Sequence, residues 1–281
     1  MTELLQRQAS LRVRSYGSSG PLVVVLHGGP GVAGYVAPVA RGLAGSFRVL
    51  EPFQRASESE PLTVARHVAD LHEIVASRGE QDRPALVGHS WGAMLALAFA
   101  AAHPDHVSAL VLVGCGPFDP VARHRLVATR EARLNDRLRR RLERLTQEVS
   151  DPDRRLFLLG SLMRQVDSCE LLPGASEVEV CDARAHEQTW QDMLRLQEEG
   201  VYPAAFAAIK APVLMLHGAQ DPHPGDLIRA SLEPFLPQMS YLEWERCGHY
   251  PWLERAVHHE FFAVLCEWLK HPGARTPGKS L

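Results

Sequence analysis

Short runs of apolar residues alternate along the chain with longer stretches in which apolar positions recur at helical spacing. A continuous apolar run of strand length predicts a strand covered on both faces. Its alternation with helices predicts a mostly parallel sheet flanked by helical layers, an α/β fold. Residues 22–26, 47–50, 85–87, 109–113, 213–217 and 239–245 are the expected strands, and residues 11–16, which alternate with period two, are an expected edge strand. Residues 64–76, 91–102, 227–235 and 256–269 carry helical spacing.

The rhythm breaks from about Phe118 to Phe206, where Arg, Leu and Glu dominate and almost no strand-like run occurs. This region is expected to be a helical cap inserted into the fold, so that residues 1–117 and 207–281 form the core and 118–206 the insertion. Within it Leu134, Leu138, Leu142 and Leu145 share one helical face, while Arg137, Arg139, Arg140, Arg141 and Arg144 fill the rest. Acidic neighbours at Glu131, Asp136, Glu143 and Glu148 make this a solvated helix face rather than an anion-binding surface.

The 281 residues, 46% hydrophobic and 22% charged, supply a sizeable core and exclude wholesale disorder. A formal net charge of −3 provides no basic field for nucleic acid or anionic lipid, so neither is an expected partner. The five cysteines show no C-x-x-C spacing and read as reduced thiols. The first residues, Met1 to Arg7, lack a basic start followed by an apolar run, and no membrane-length apolar stretch occurs, so a cytoplasmic location is expected.

The most informative local pattern is Gly88-His89-Ser90-Trp91-Gly92, set between an expected strand and an expected helix. A G-x-S-x-G turn in that context holds its serine in a strained conformation at the sheet edge, and the helix beginning at Trp91 aims free N–H groups at the same place. A serine hydroxyl is a weak nucleophile at neutral pH, so the chemistry needs an acid and then a histidine further along. Asp221 follows the strand ending in His217-Gly218, and His249 follows the last strand through Arg246-Cys247-Gly248. Asp119, after the strand at 109–113, is an alternative acid.

In this set and order the chain resembles the α/β-hydrolase superfamily, over nearly its whole length. Within that superfamily, His27-Gly28-Gly29-Pro30-Gly31 is similar to the motif of the prolyl iminopeptidase group, which removes N-terminal proline from peptides. The resemblance implies a Ser90–His249–Asp221 triad, with the N–H groups of Gly29 and Trp91 as the oxyanion hole and no cofactor. Gln54 and Arg55 match that group's next motif, whereas Phe53 and Ala56-Ser57-Glu58 depart from it. An N-terminal peptidase must also bind an ammonium, and Glu170, Glu177, Glu179, Asp182 and Glu187 are the insertion's candidate carboxylates.

Other readings compete for the same residues. Gly29-Pro30-Gly31-Val32-Ala33-Gly34 satisfies G-x-G-x-x-G with Glu51 about 20 residues on, but Pro30 lies inside it and a dinucleotide site would leave Ser90, Asp221 and His249 unused. His27 and His89 beside the motifs read as hydrogen-bonded structural elements, and Cys247 as a small buried residue. His103 with His106, and His258 with His259, lack a third ligand at a recognised spacing, so no metal is expected. The expected function is a cofactor-independent serine hydrolase acting on a small molecule or short peptide, leaning to amino-terminal amide hydrolysis. Small-ester and carbon–carbon bond hydrolysis are alternatives on the same residues, and a catalytically silent ligand receptor of the same fold is the alternative from another class. The pattern leaves the oligomeric state open.

Overall fold

The structure is a computed structural model that describes residues 11–77, 83–174 and 177–274, so the reading of Met1 to Arg7 lies outside the described residues. In chain order the strands are β1 Val13–Tyr16, β2 Leu22–Leu26, β3 Val32–Ala33, β4 Arg48–Pro52, β5 Ala85–His89, β6 Ala109–Val113, β7 Val180–Cys181, β8 Val213–Gly218 and β9 Met239–Trp244. The helices are α1 Ala37–Leu43, α2 Val64–Ala76, α3 Trp91–Ala102, α4 Pro120–Arg133, α5 Asp136–Glu148, α6 Pro152–Val166, α7 Ala183–Glu198, α8 Gly225–Leu232 and α9 His258–Lys270.

Seven strands form one sheet in the order β1-β4-β2-β5-β6-β8-β9, parallel except for β1, which runs antiparallel along one edge. Both faces of the central strands are buried, which is why β2, β6 and β8 read as nearly unbroken apolar runs, whereas the edge strands β1 and β9 are only half-covered. Leu22, Val24 and Leu26 of β2 pack on one side with α2, α3 and α8, while Val23 and Val25 pack on the other with α1 and α9. The parallel register brings Leu26 opposite Gly88, His89 opposite Val113 and Gly218 opposite Trp244. The loops after β2, β5, β6, β8 and β9 therefore leave from one edge of the sheet.

Three elements escaped the sequence pattern: α1, β3 and β7. Helix α1 has Pro38 in its first turn and Gly42 in its last, which hides its periodicity; Gly42 is required because a Cβ there would lie 2.1 Å from the Phe262 ring of α9. Strand β7 pairs antiparallel with β3, so the region from 118 to 206, otherwise helical, does contribute two residues to a small second sheet. That pairing fastens the helical region to the chain just after Gly31. No helix among the described residues is long and apolar enough to cross a membrane.

Candidate active site

The turn from β5 to α3 is built as its glycines imply. Ser90 has φ 55° and ψ −118°, and among the described residues it is the one non-glycine with positive φ. A Cβ on Gly88 would lie 2.2 Å from the Gly92 carbonyl oxygen, and one on Gly92 would lie 2.3 Å from that of Leu26. Neither contact is tolerable, so the turn closes only with glycine at both places. Backbone strain of this kind costs on the order of 1–3 kcal/mol and persists where the surroundings over-determine it. Here the Ser90 N–H is anchored to the Val113 carbonyl of β6 at 2.9 Å, and Trp91 behind it is fully buried.

The loop after β8 turns through the Asp221 N–H to the Gly218 carbonyl, 2.9 Å, and delivers the Asp221 carboxylate to His249 Nδ1 at 2.6 Å. Asp221 is thus the acid that holds His249, while Asp119 accepts the Ala122 N–H as the N-cap of α4. The His249 ring lies against Gly114 at the end of β6, where an added Cβ would approach its Nδ1 to 2.9 Å. Ser90 and His249 therefore both rest on the same strand end, although no hydrogen bond joins Ser90 Oγ to His249 Nε2 in this arrangement. Burial opposes ionisation of Asp221, but His249 and His223 outweigh it and hold its carboxyl well below the usual carboxylate range.

His223 is a partner the sequence pattern did not single out. Its ring Nδ1 and its backbone N–H both donate to Asp221 Oδ1, at 2.8 and 2.9 Å, and the ring stacks on His249 with centroids 4.1 Å apart. Burial lowers its pKa to about 4, so it is neutral at pH 7 and serves as a fixed donor that leaves Oδ2 for His249.

Tyr35 joins three loops. Its hydroxyl accepts the Gly28 N–H at 2.8 Å and donates to His89 Nδ1 at 2.7 Å, and His89 Nε2–H donates to the His249 carbonyl at 2.9 Å. Burial, then the adjacent His249, holds His89 neutral. His27, with its pKa lowered to about 4 by burial, donates to the Gly28 carbonyl and accepts the Gln54 N–H. Gln54 in turn bonds the His27 carbonyl and the Trp91 indole N–H, each at 2.9 Å. Both histidines are structural elements of the site, as their sequence context suggested. Nothing local marked Tyr35, whose role depends on the fold bringing residues 28, 89 and 249 together.

The Gly29 and Trp91 N–H groups engage no acceptor in the turns and loops of the described residues, and Gly28, next to Gly29, packs against Ser90, where an added Cβ would lie 2.7 Å from the Ser90 Cβ. The loop carrying His249 is also tied to the helical region. Buried Glu254 accepts the N–H groups of Cys169, Glu170 and Gly248 at 2.8, 2.6 and 3.0 Å, and the His249 N–H reaches the Asp167 carbonyl at 2.8 Å. Asp167 is itself held by Arg130.

The five carboxylates considered for an ammonium all have other partners. Glu170 pairs with Arg246 and Arg255, Glu177 with Arg41, and Glu179 with Arg12 and Arg14. Asp182 caps α7 and accepts from Ser57, and Glu187 accepts from Gln191. Glu51, the acidic residue of the dinucleotide reading, is buried against Arg14 and Tyr16. Cys247 is a buried thiol whose pKa burial pushes up, which disfavours the thiolate. In contrast, Arg164 of α6 keeps a buried Nε without a hydrogen-bond partner among the described residues. A cavity of about 250 Å³ lies beside the Gly31 turn, lined in part by Phe53, Gln54 and Arg55.

The comparison with protein families agrees with this architecture: the profile described as the alpha/beta hydrolase fold matches residues 21–256, and the chain belongs to that family. Over 281 aligned residues it is 28% identical to a 2-hydroxy-6-oxononadienedioate/2-hydroxy-6-oxononatrienedioate hydrolase of Pseudomonas putida, covering 93% of this chain and 92% of that protein. It is 35% identical to a proline iminopeptidase of Neisseria meningitidis, but over 114 residues, or 36% of each chain. The crystal structure of VinJ superposes with a TM-score of 0.67 at 20% identity, covering 92% of this chain and 94% of that one.

Proposed function

We propose that this protein is a serine hydrolase of small, carboxylate-bearing carbonyl compounds, with Ser90 as nucleophile, His249 as general base, Asp221 as its orienting acid, and the Gly29 and Trp91 N–H groups as oxyanion hole. The observation that carries the reaction class is the buried Asp221–His249 hydrogen bond of 2.6 Å set on the strand end that also anchors strained Ser90. With Nδ1–H donated to Asp221, His249 Nε2 is the free base. It takes the Ser90 proton as Oγ adds to the carbonyl carbon, and the oxyanion meets the two N–H groups. His249 then returns the proton to the departing group, and water, deprotonated by the same nitrogen, releases the acyl group from Ser90.

Charge supports this substrate class. An ammonium needs a free carboxylate in a partly dry pocket, and each of the insertion's five candidates is engaged elsewhere. Arg164 offers the opposite charge with a buried, unpaired donor. This suits a substrate like the dienedioate named for the Pseudomonas putida relative, a dicarboxylate with a ketone. A ketone has no ester or amide bond, so its hydrolysis breaks a carbon–carbon bond, with a proton going to the departing carbon and hydroxide to the acyl carbon. We propose residues 118–206 as the cap that selects this substrate. The iminopeptidase reading draws its support from residues His27 to Gly31 and from the Neisseria meningitidis relative.

The test is turnover of a 2-hydroxy-6-oxo dienoate, a prolyl arylamide and a short p-nitrophenyl ester by wild type and Ser90→Ala. Ser90-dependent loss of the dienoate chromophore is expected, with the arylamide at least about 100-fold slower because its ammonium finds no partner. Comparable arylamide turnover transfers the assignment to the peptidase, and turnover that survives in Ser90→Ala removes the serine mechanism.

A further inference from the structure

His103 and His106 lack a third ligand along the chain, but the fold supplies one. His72, on the C-terminal half of α2, places a ring nitrogen so that those of all three histidines lie within 4.8 Å of one another. The His72 and His103 rings stack with centroids 4.3 Å apart, and His106 meets them at steep angles at 5.2 and 5.6 Å. Phe99 backs His103 from within α3. Among the described residues no hydrogen bond or ion pair occupies any of the three rings, whose contacts are with one another and with Phe99.

The electrostatics of the place favour a cation. His103 is the C-cap of α3, and His72 lies near the end of α2, so the negative ends of two helix dipoles converge there. Neither helix has a basic residue in its last turn to answer that charge.

We propose that His72, His103 and His106 form a binding site for a divalent transition metal ion that clasps α2 to the C-terminal end of α3. An all-imidazole set selects Zn²⁺, Ni²⁺ or Cu²⁺ over Mg²⁺ and Ca²⁺, which prefer oxygen ligands. Zinc–nitrogen bonds of about 2.0–2.1 Å put ligand nitrogens roughly 3.4 Å apart, a separation these partly exposed rings reach by modest side-chain rotation. His106 is exposed, so the remaining coordination positions face water. Ser90 sits at the other end of α3, roughly 18 Å away at 1.5 Å per residue, so the ion stabilises the helix pair without touching the reacting atoms.

The test is calorimetric titration of the chelator-stripped full chain with Zn²⁺, paired with Co²⁺ titration read by its visible absorption. One equivalent binding with micromolar or tighter Kd, insensitive to millimolar Mg²⁺ and Ca²⁺, and a Tm that climbs with Zn²⁺ concentration are expected. His72→Ala, His103→Ala and the exposed His106→Ala should each weaken binding at least about tenfold, with unchanged far-UV circular dichroism verifying that each is folded. The second grouping of possible ligands, Asp221, His223 and His249, is controlled by Asp221→Asn, which should retain the site. Binding only at millimolar Zn²⁺, affinity unchanged in the three histidine variants, or loss of binding in Asp221→Asn would each overturn the assignment.

Discussion

Helices α3 and α5 are nearly equal in length and opposite in environment. α3 buries every residue from Trp91 to Ala100, because it is packed between the sheet, α2 and residues 204–208. α5 buries none; its leucines are half-covered by α6 and its arginines face water. Ser90 is the N-cap of α3, so the proposed nucleophile stands on rigid, close-packed structure, while α5 belongs to the region proposed to choose the substrate. A site that must hold geometry to a fraction of an ångström stands on the first kind of helix, and variable recognition is accommodated on the second.

The sharpest test of this contrast is catalytic. Ser90→Ala or His249→Ala should lower kcat by about 10⁴ to 10⁶-fold; Ser90→Ala should keep thermal stability near that of wild type, whereas His249→Ala, which leaves buried Asp221 without its partner, should not. Acid should act next most strongly, and on the buried site first. Burial lowers the pKa values of His27, His67 and His223 to about 4, against 6.5 in the unfolded chain. Between those values the unfolded state binds up to three more protons. Stability is therefore full above about pH 6.5 and falls on acidification, by on the order of 4 kcal/mol per pH unit at the steepest. Asp221, with its depressed pKa, continues the loss below pH 3.8. Urea unfolding at pH 7, 6 and 5 reads this directly, and a flat profile would mean these histidines become solvated in the native state.

Leu97→Ala in α3 should cost about 2–5 kcal/mol in the same experiment, since Leu97 is fully buried, whereas half-covered Leu142→Ala in α5 should cost under about 1 kcal/mol. Equal costs would erase the distinction between the two helices. Tyr35→Phe should perturb stability less than Leu97→Ala. It removes one oxygen and leaves the Gly28 N–H and His89 Nδ1 unpaired, so kcat should fall about 10 to 100-fold with KM little changed, and stability by about 1–3 kcal/mol. An unchanged kcat would show that the three loops hold their positions without this link.

The legible part of the molecule was the part whose signals are local. Five central strands, β4, β2, β5, β6 and β8, showed as apolar runs because they are covered on both faces, and the Ser90 turn showed because glycine is demanded at both flanks. α1 was missed because Pro38 and Gly42 interrupt a seven-residue helix, and β7 because a two-residue strand has no period to read. His223 carried no signal beyond lying two residues after Asp221. Tyr35 and Glu254 carried none, since each acts on residues distant in the chain.

By itself the sequence determined the order of strands and helices, the strained serine turn, and the placement of Asp221 and His249 on loops after the later strands. These follow from periodicity, side-chain volume and backbone geometry within a few residues. Only the tertiary structure decided that Asp221 rather than Asp119 meets His249, and that the five candidate carboxylates of the helical region are engaged by arginines, backbone N–H groups or, for Glu187, Gln191. It also decided that His72 joins His103 and His106. The physical reason is the same in each case: hydrogen bonds and charge pairs act over a few ångströms in space, and which groups come that close is set by how the helices pack on the sheet.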